Sequence, residues 1–205
     1  MNDAAPLVQT VALAAGLAWA SGLRLYLVLF LAGLLAHFGY LQLPENLVLL
    51  KHPLVMAASG TMLLAEFVAD KVPGFDSLWD TLQTFVRIPA GGALAALSLG
   101  VADPAAMLAA GLVGGTITAG TALTKAGGRL AINTSPEPFT NWAASFGEDA
   151  MVIGGFWLML QHPAIFLGVL ALFLLLLVWL LPKLWRFLRA MIGRISTFLR
   201  SGTTA

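Results

Sequence analysis

The longest apolar stretch of the chain constrains its fold most. Residues Leu7–Phe38 form a predominantly apolar run of 32 residues. As one straight α-helix this run would be about 48 Å long, whereas the hydrocarbon core of a bilayer is about 30 Å thick. The run must therefore break, and Ser21-Gly22 is the natural position because small residues tolerate a kink. The sequence predicts two membrane segments here, residues 7–20 and 22–38, with Arg24 just past the break.

The composition agrees with a membrane protein. Hydrophobic residues make up 59% of the 205 residues, charged residues only 10%, and the mean hydropathy is +0.88. Soluble domains contain about 45–50% apolar and about 25% charged residues. A net charge of +1 with few, clustered cations argues against a nucleic-acid partner. The lipid bilayer is therefore the expected partner, and homo-oligomers are possible.

Further apolar segments extend along the chain and predict an all-α bundle of six or seven membrane segments. Gly111 and Gly115 form a GxxxG pair, a spacing that permits close helix contact. Polar loops are predicted at 42–51 and 125–138. The predicted segments after the first run are Pro53–Asp70, Pro89–Val101, Ala105–Leu123, Phe139–Leu160 and Ala164–Leu181.

Two shorter segments read as amphipathic helices. Phe75–Arg87 places its aromatic and aliphatic residues at i, i+3, i+4 and i+7 and its charged residues elsewhere. We expect it to lie flat at the membrane interface with its polar side on the protein's own loops. The tail Lys183–Arg200 carries five cations off its apolar face, which is typical of a helix on an anionic inner leaflet.

The distribution of basic residues predicts the orientation. If each apolar segment crosses once, there are seven crossings, Arg24 lies at or near the basic side, and only Lys51 lies on the opposite side. Cytoplasmic loops carry the excess of Lys and Arg, so we expect a multi-pass protein of the bacterial inner membrane with a cytoplasmic C-terminus. The nine basic residues that share one side are Lys71, Arg87, Lys125, Arg129, Lys183, Arg186, Arg189, Arg194 and Arg200.

The two halves of the chain resemble each other. Ala12–Ala15 matches Ala93–Ala96, and the His52–Ser59 stretch is echoed at Glu137–Ser145. Each half contains one short or re-entrant segment followed by two full ones, which predicts an inverted repeat. Residues 1–88 form the first half, with the interfacial helix at 75–87, residues 89–162 form the second, and 163–205 form a terminal helix and tail. Broken segments at corresponding places point to a transporter's central site.

Intramembrane acids are the main candidates for function. A carboxylate at mid-bilayer costs about 2.5–3.5 kcal/mol on insertion scales, so it indicates a functional site. Glu148 and Asp149 point about 100° apart on a helix, so both cannot face one cavity equally. Two interpretations are open: one carboxylate lines a central cleft as a proton or cation site, or it forms a structural pair with Arg24 or Lys125. Glu66 and Asp70 share a helix face, where Lys71 or Arg87 would relieve their repulsion.

Several other polar residues complete the candidate path. Arg24 and Asp103 each follow the break in a short segment and would meet as a buried pair if both breaks reach mid-bilayer. Asn141 and Ser145 lie on the same predicted helix as the two adjacent acids. Three histidines without ligand spacing do not predict a metal site, and no sequence signal indicates a cofactor. No serine stands in a nucleophile elbow and no phosphate loop occurs, so we expect no enzyme.

Two motifs carry a resemblance to a known family. They are Glu66–Pro73 followed by Asp76, Asp80, Thr84 and Arg87, and Ser135–Pro138 followed by Asn141, Ser145, Glu148 and Asp149. With these motifs the chain resembles the bacterial integral-membrane family catalogued as domain of unknown function 4126, over residues 10–180. The resemblance implies no activity and marks the motif residues only as candidate site positions.

Three functions fit the sequence. The first is a small transporter or channel with a carboxylate-lined site near the bilayer midplane, whose solute or ion is unknown. The second is a non-catalytic scaffold or accessory subunit whose acids form structural ion pairs. A lipid-handling flippase or intramembrane enzyme is a further alternative. The candidate path residues are Glu148, Asp149, Ser145, Asn141, Glu66, Asp70, Arg24 and Asp103.

Overall fold

The computed structural model describes residues 4–72, 74–100, 103–133 and 138–201, without the side chains at Ala4, Pro138, 181, 184–185 and 187–201. In these residues every regular element is a helix, as the sequence predicts. The helices are α1 (Ala4–His37), a 3-10 helix (Glu45–Lys51), α2 (Pro53–Ala69), α3 (Phe75–Ser98), α4 (Pro104–Ile132), α5 (Pro138–Gln161) and α6 (Pro163–Ser201).

Proline marks where four of these helices begin. A proline at the first helical position loses nothing, because the N–H it lacks would have no partner inside the helix. The residue before it can then supply a cap. His52 Nδ1 accepts a hydrogen bond from Leu54 N at 3.2 Å before α2, and Asp103 Oδ1 accepts one from Ala105 N at 3.1 Å before α4.

The first helix breaks and folds back. Arg24 has φ −145° and ψ 76°, outside the helical region, so the break lies slightly later than the predicted Ser21-Gly22. A straight helix of 34 residues would be about 51 Å long. Yet Pro6 and Gln9, near its start, line one cavity with Gln42 and Pro44, which follow its end. The two arms of α1 therefore run side by side in opposite directions.

The folded-back helix forms the centre of the bundle. Within its most apolar window 72% of the residues are buried, against 22% in α4 and 17% in α6. It contacts all the other α-helices, and its Trp19 packs edge-on against Phe166 and Phe173 of α6. Most large side chains on the outer faces of α2, α4 and α6 are exposed and apolar.

The third helix extends beyond the predicted interfacial segment. Phe75–Arg87 and residues 89–98 form one continuous helix with Pro89 inside it. Asp76, Asp80 and Arg87 are fully buried, and the aromatic and aliphatic side is exposed. The predicted periodicity is correct, but the polar side faces the helix bundle. The predicted boundary between halves at residue 88 falls inside this helix.

Close packing on α4 accompanies this continuation. A Cβ at Gly92 would lie 2.9 Å from Gly111 O and 3.4 Å from the Gly115 Cα, so the GxxxG pair does permit close contact. The predicted loop at 125–138 is also wrong in its first half, because α4 continues through Lys125 and Arg129 to Ile132. Residues 134–137 lie outside the described part of the chain.

Among the described residues, three helices are long and apolar enough to cross a membrane, judged by length and composition alone. They are Ala5–His37, Pro104–Ile132 and Pro163–Leu180, and a fourth results if the 3-10 helix and α2, bent by 67°, are one span. The predicted six or seven segments are thus not confirmed, and the inverted repeat remains a prediction. α6 runs through Pro182 into the basic tail, whose side chains mostly lie outside the description.

Candidate functional site

Ten charged side chains from five helices meet inside the bundle and form what we call the charge cluster. Nine of them are buried, and only Asp149 keeps a moderately exposed side chain. Each makes an ion pair within 4.0 Å with another member. The members are Arg24, Glu66, Asp70, Asp76, Asp80, Arg87, Lys125, Arg129, Glu148 and Asp149.

The charge cluster contains more acids than bases. Six carboxylates against four cations give a formal charge of −2 when all groups are ionised. Moving an ion from water into a protein interior costs several kcal/mol unless it is paired and hydrogen-bonded. Neutral groups supply part of the remaining compensation, because Gly74 N, Ser77 N and Asn133 Nδ2 all donate to Asp76 Oδ1.

Arg24 occupies the break in α1 and connects α2 to α5. Its Nη1 lies 2.5 Å from Asp70 Oδ2, and its Nε lies 2.8 Å from Asp149 Oδ1. Its Nη2 donates to Ser145 Oγ at 2.6 Å and to Ser145 O at 3.2 Å. A broken helix thus directs one guanidinium at groups on two other helices.

Arg87 connects α2 to α3. Its Nη1 donates to Asp80 Oδ1 at 2.9 Å, and its Nη2 donates to Glu66 Oε1. Asp76, Asp80 and Arg87 follow one another at spacings of four and seven residues, which keeps them on one helix face. Arg87, one of the two partners predicted for Glu66 and Asp70, therefore pairs with Glu66. Asp70 pairs with Arg24 instead.

Lys125 lies at the centre of five oxygen atoms. Its Nζ donates to Leu23 O at 2.9 Å, the carbonyl just before the break in α1. It lies 3.1 Å from both Asp80 Oδ1 and Glu148 Oε2. Glu66 Oε1 follows at 3.9 Å and Asp70 Oδ2 at 4.0 Å. We call these five oxygens the lysine cage.

Arg129 holds Glu148 from the other side. Its Nε and Nη2 donate to Glu148 Oε1 at 3.2 and 3.1 Å, and its Nη1 donates to Asn141 O at 3.1 Å. Asn141 Nδ2 donates to Asn133 Oδ1, and Asn133 Nδ2 donates to Asp76 Oδ1, both at 2.8 Å. A chain of hydrogen bonds therefore links α5, the end of α4 and the start of α3.

Some carboxylate oxygens in the charge cluster have no hydrogen-bond donor. Among the described residues, Glu66 Oε2, Asp70 Oδ1 and Asp80 Oδ2 are buried, accept no hydrogen bond and are not the oxygens that form the ion pairs of these residues. A buried acceptor without a donor costs about 1–3 kcal/mol, and more when it is charged. These atoms are where further protons or cations would be most stabilising.

A cleft leads to the charge cluster from the side. It has a volume of about 340 Å³, lies between α4, α5 and the neighbouring parts of α1 and α6, and is lined mainly by apolar and small residues such as Leu23, Met151 and Phe173. Lys125, Arg129 and Glu148 form its charged end. Of these three, only Glu148 has any exposed side-chain surface, at 10%.

Lys71 lies at the rim of the charge cluster. Its Nζ is 2.9 Å from the centre of the Phe67 ring and 5.0 Å from that of Phe146, so one cation connects α2 with α5. Burial lowers the pKa of Lys71, and the positive charge of Arg24 lowers it further. The contacts with the two aromatic rings act in the opposite direction, because a ring face stabilises a cation above it.

The structure brings together seven of the eight residues that the sequence proposes. Asp103 is the exception, because it is exposed and caps α4, so the predicted pair with Arg24 does not form. The ion-pair interpretation of Glu148 is met geometrically by Lys125 and by Arg24, whose Nε is 3.6 Å away. Within the described residues no three His, Cys, Asp or Glu side chains could hold a metal ion.

Sequence reasoning did not list five members of the charge cluster as site residues. Asp76, Asp80 and Arg87 were assigned to an interfacial helix, and Lys125 and Arg129 to a loop. The sequence feature that could have identified them is the spacing of their charges by four or seven residues, which places the charges on one helix face. Such a face is expected to be buried when the opposite face is apolar.

Comparison with known proteins gives a family without an activity. Residues 11–183 match the family described as "Domain of unknown function (DUF4126)", which confirms the resemblance noted from the sequence. No curated protein and no solved structure matches the chain.

Proposed function

Because the chain belongs to the DUF4126 family, whose description assigns no activity, we propose a function from the geometry of the charge cluster. The protein is a small membrane transporter in which this cluster binds the transported or coupling cation. The observation that carries the proposal is the excess of carboxylates in the charge cluster, six against four cations, of which five carboxylates and all four cations are buried, with a cleft leading to it.

The excess of acids gives the charge cluster an affinity for positive charge. With a formal charge of −2, it gains by taking up protons or another monovalent cation, and it releases them when a conformational change exposes it to water. Ionisable residues inside membrane bundles mark such ion and proton paths. The unpartnered oxygens of Glu66, Asp70 and Asp80 supply the acceptors.

The break in α1 supports the same proposal. In many transporters a discontinuous helix places unwound backbone carbonyls at the ion site near the bilayer midplane. Here the carbonyl of Leu23 faces a cation, the Lys125 ammonium, and Arg24 at the break pairs with acids of two other helices. The C-terminal end of the first arm of α1, which would bind an ion in such transporters, is therefore already occupied by the Lys125 ammonium.

The outer faces of the bundle suit a bilayer. Phe85 is 76% exposed on the side of α3 opposite to its buried acids, and Leu64 and Val68 are exposed on α2. We propose that both arms of α1 and helices α2 to α6 cross the bacterial inner membrane, with the C-terminus cytoplasmic. The charged residues of α3 and α5 point into the bundle, so they lower the mean hydropathy of these two helices without exposing charge to lipid. Halves related by an inverted repeat fit this arrangement.

Ion flux in proteoliposomes tests the proposal. Wild type, Glu148→Gln and Asp149→Asn are reconstituted with an internal pH-sensitive dye, and gradients of protons and small cations are applied. We expect flux in wild type and at least a tenfold loss in Glu148→Gln, since the amide cannot carry the charge. Asp103→Asn changes an exposed acid of the same bundle and should transport normally. Absence of flux in folded wild type under every gradient would exclude the proposal.

A second function, a membrane scaffold, is favoured by one observation. Every basic residue of the charge cluster already lies within 4.0 Å of a carboxylate, an arrangement that also suits a static lock. A scaffold predicts no flux in wild type, a lower unfolding temperature for Glu148→Gln, and co-purification of a membrane partner that the variant loses.

A further inference from the structure

The lysine cage has the geometry of an ammonium site. An ammonium group has three N–H donors, and three oxygens lie within hydrogen-bonding distance of Lys125 Nζ: Leu23 O at 2.9 Å, and Asp80 Oδ1 and Glu148 Oε2 at 3.1 Å. Two more carboxylate oxygens lie within 4.0 Å. These oxygens come from α1, α2 or its C-terminal cap, α3 and α5, whereas the lysine comes from α4.

The lysine is an occupant that the cage can exchange. Two of its close oxygen partners belong to carboxylates that have other cations, since Arg87 pairs with Asp80 and Arg129 with Glu148. A lysine ammonium is a compact charge on a flexible four-carbon stem, unlike the fixed fork of an arginine. Lys125 also lines the cleft, although its side chain has no exposed surface, so exchange requires the side chain to move out of the cage.

We propose that the lysine cage is a binding site for a small primary alkylammonium ion, which enters through the cleft and replaces the Lys125 ammonium. The inference rests on the proposed function, because it names the chemical class of the cargo. The cleft, at about 340 Å³, is large enough for the ion, and its apolar walls, among them Ile132, Met151 and Phe173, suit the alkyl part.

Charge favours a cation over an anion at this position. With Lys125 still protonated, one bound monovalent cation changes the formal charge of the cluster from −2 to −1 and so reduces the buried excess. An anion would increase it to −3. The two cations that line the cleft, Lys125 and Arg129, have no exposed side-chain surface and are paired with Glu148.

Binding to the purified protein tests the site without requiring transport. Lys125→Ala empties the cage, and methylammonium is then compared with tetramethylammonium, which has the same charge but no N–H donor. At ten times its Kd, methylammonium should raise the unfolding temperature of Lys125→Ala by roughly 3–6 °C, and tetramethylammonium should not. Wild type needs a higher concentration, because a tethered group competes at an effective concentration on the order of millimolar or above.

Two glycines of α5 provide a matched pair of variants in case Lys125→Ala does not fold. A Cβ at either Gly147 or Gly154 meets nothing within 4 Å, but only Gly147 lines the cleft. Equilibrium binding of radiolabelled methylammonium to wild type should be lost in Gly147→Leu and kept in Gly154→Leu.

The outcomes separate this inference from the proposed function. Methylammonium binding to wild type that depends on Gly147 supports the site even if no flux is measured, whereas stabilisation of Lys125→Ala without any binding to wild type would overturn the exchange. Equal effects of methylammonium and tetramethylammonium, or equal binding by Gly147→Leu and Gly154→Leu, would overturn it. Proton flux without ammonium binding would overturn the proposed alkylammonium site but would agree with the proposed transporter function.

Discussion

The two ends of the bundle use the same residue types in opposite ways. At one end, Glu45, His52 and Asp103 are exposed, and the latter two cap helices. At the other end, Asp76 and Asp80 are fully buried in the first and second turns of α3. The difference is one of position within the helix, because a cap lies where backbone and water meet, whereas the following turns face the neighbouring helices.

This difference determines what each charge costs and does. A cap satisfies backbone N–H groups that the helix leaves without partners, and water solvates the rest of the side chain. A buried ion depends wholly on its protein partners, so removing one partner leaves another charge uncompensated. The proposed binding and release of a cation is therefore placed at the buried end, where each charge depends on its protein partners.

The largest expected effect is at Arg87. Arg87→Met leaves Glu66 and Asp80 with less compensation in a buried site, and breaking a buried pair costs about 3–5 kcal/mol. We expect a large drop in the unfolding temperature in detergent, or failure to purify a monodisperse protein. Lys51→Met, which removes a half-buried cation at the exposed end, is the control and should change little. Similar unfolding temperatures for both variants would abolish the distinction between the ends.

The starts of three helices and the need for a break in the first one are predictable from sequence, whereas the exposed position of Asp103 was not predicted. Proline and the polar residue before it set the starts of α2, α4 and α6, and the excessive length of the first apolar run required its break. The break lies at Arg24 and not at Ser21-Gly22, because the Arg24 side chain is held there by Asp70, Asp149 and Ser145. Such partners are remote in sequence and cannot be read from a local pattern.

The buried end was predicted only in part. Acids inside apolar runs, such as Glu66 and Glu148, stand out because nothing local explains them. Lys125 and Arg129 were assigned to a loop, since a pair of cations after an apolar helix usually marks its end. α4 continues through them because the acids of α2, α3 and α5 compensate both charges inside the bundle. Helix length here depends on tertiary ion pairs.

A medium effect is expected where α1 approaches α4, close to the break. A Cβ at Gly22 would lie 2.6 Å from Thr121 Cβ and 2.7 Å from Thr118 O. Gly22→Ala must push the two helices apart, and overpacking of this kind costs about 1–3 kcal/mol. At Gly154 the same substitution meets open space and should stabilise α5 by about 0.5–1 kcal/mol. Thermal unfolding of both variants gives the comparison, and destabilisation by Gly154→Ala alone would contradict it.

The smallest effect is expected at the cap of α4, and it separates charge from hydrogen bonding. Asp103→Ala removes the acceptor for Ala105 N and should cost about 0.5–2 kcal/mol. Asp103→Asn keeps an acceptor of equal capping strength and should be close to wild type, because water already solvates the charge.

Asp80→Asn at the other end keeps the shape of the side chain but loses the charge that faces Arg87 and Lys125. It should therefore destabilise the protein and change flux. If the two Asp→Asn variants unfold at the same temperature, burial of the carboxylate is not what distinguishes the two ends.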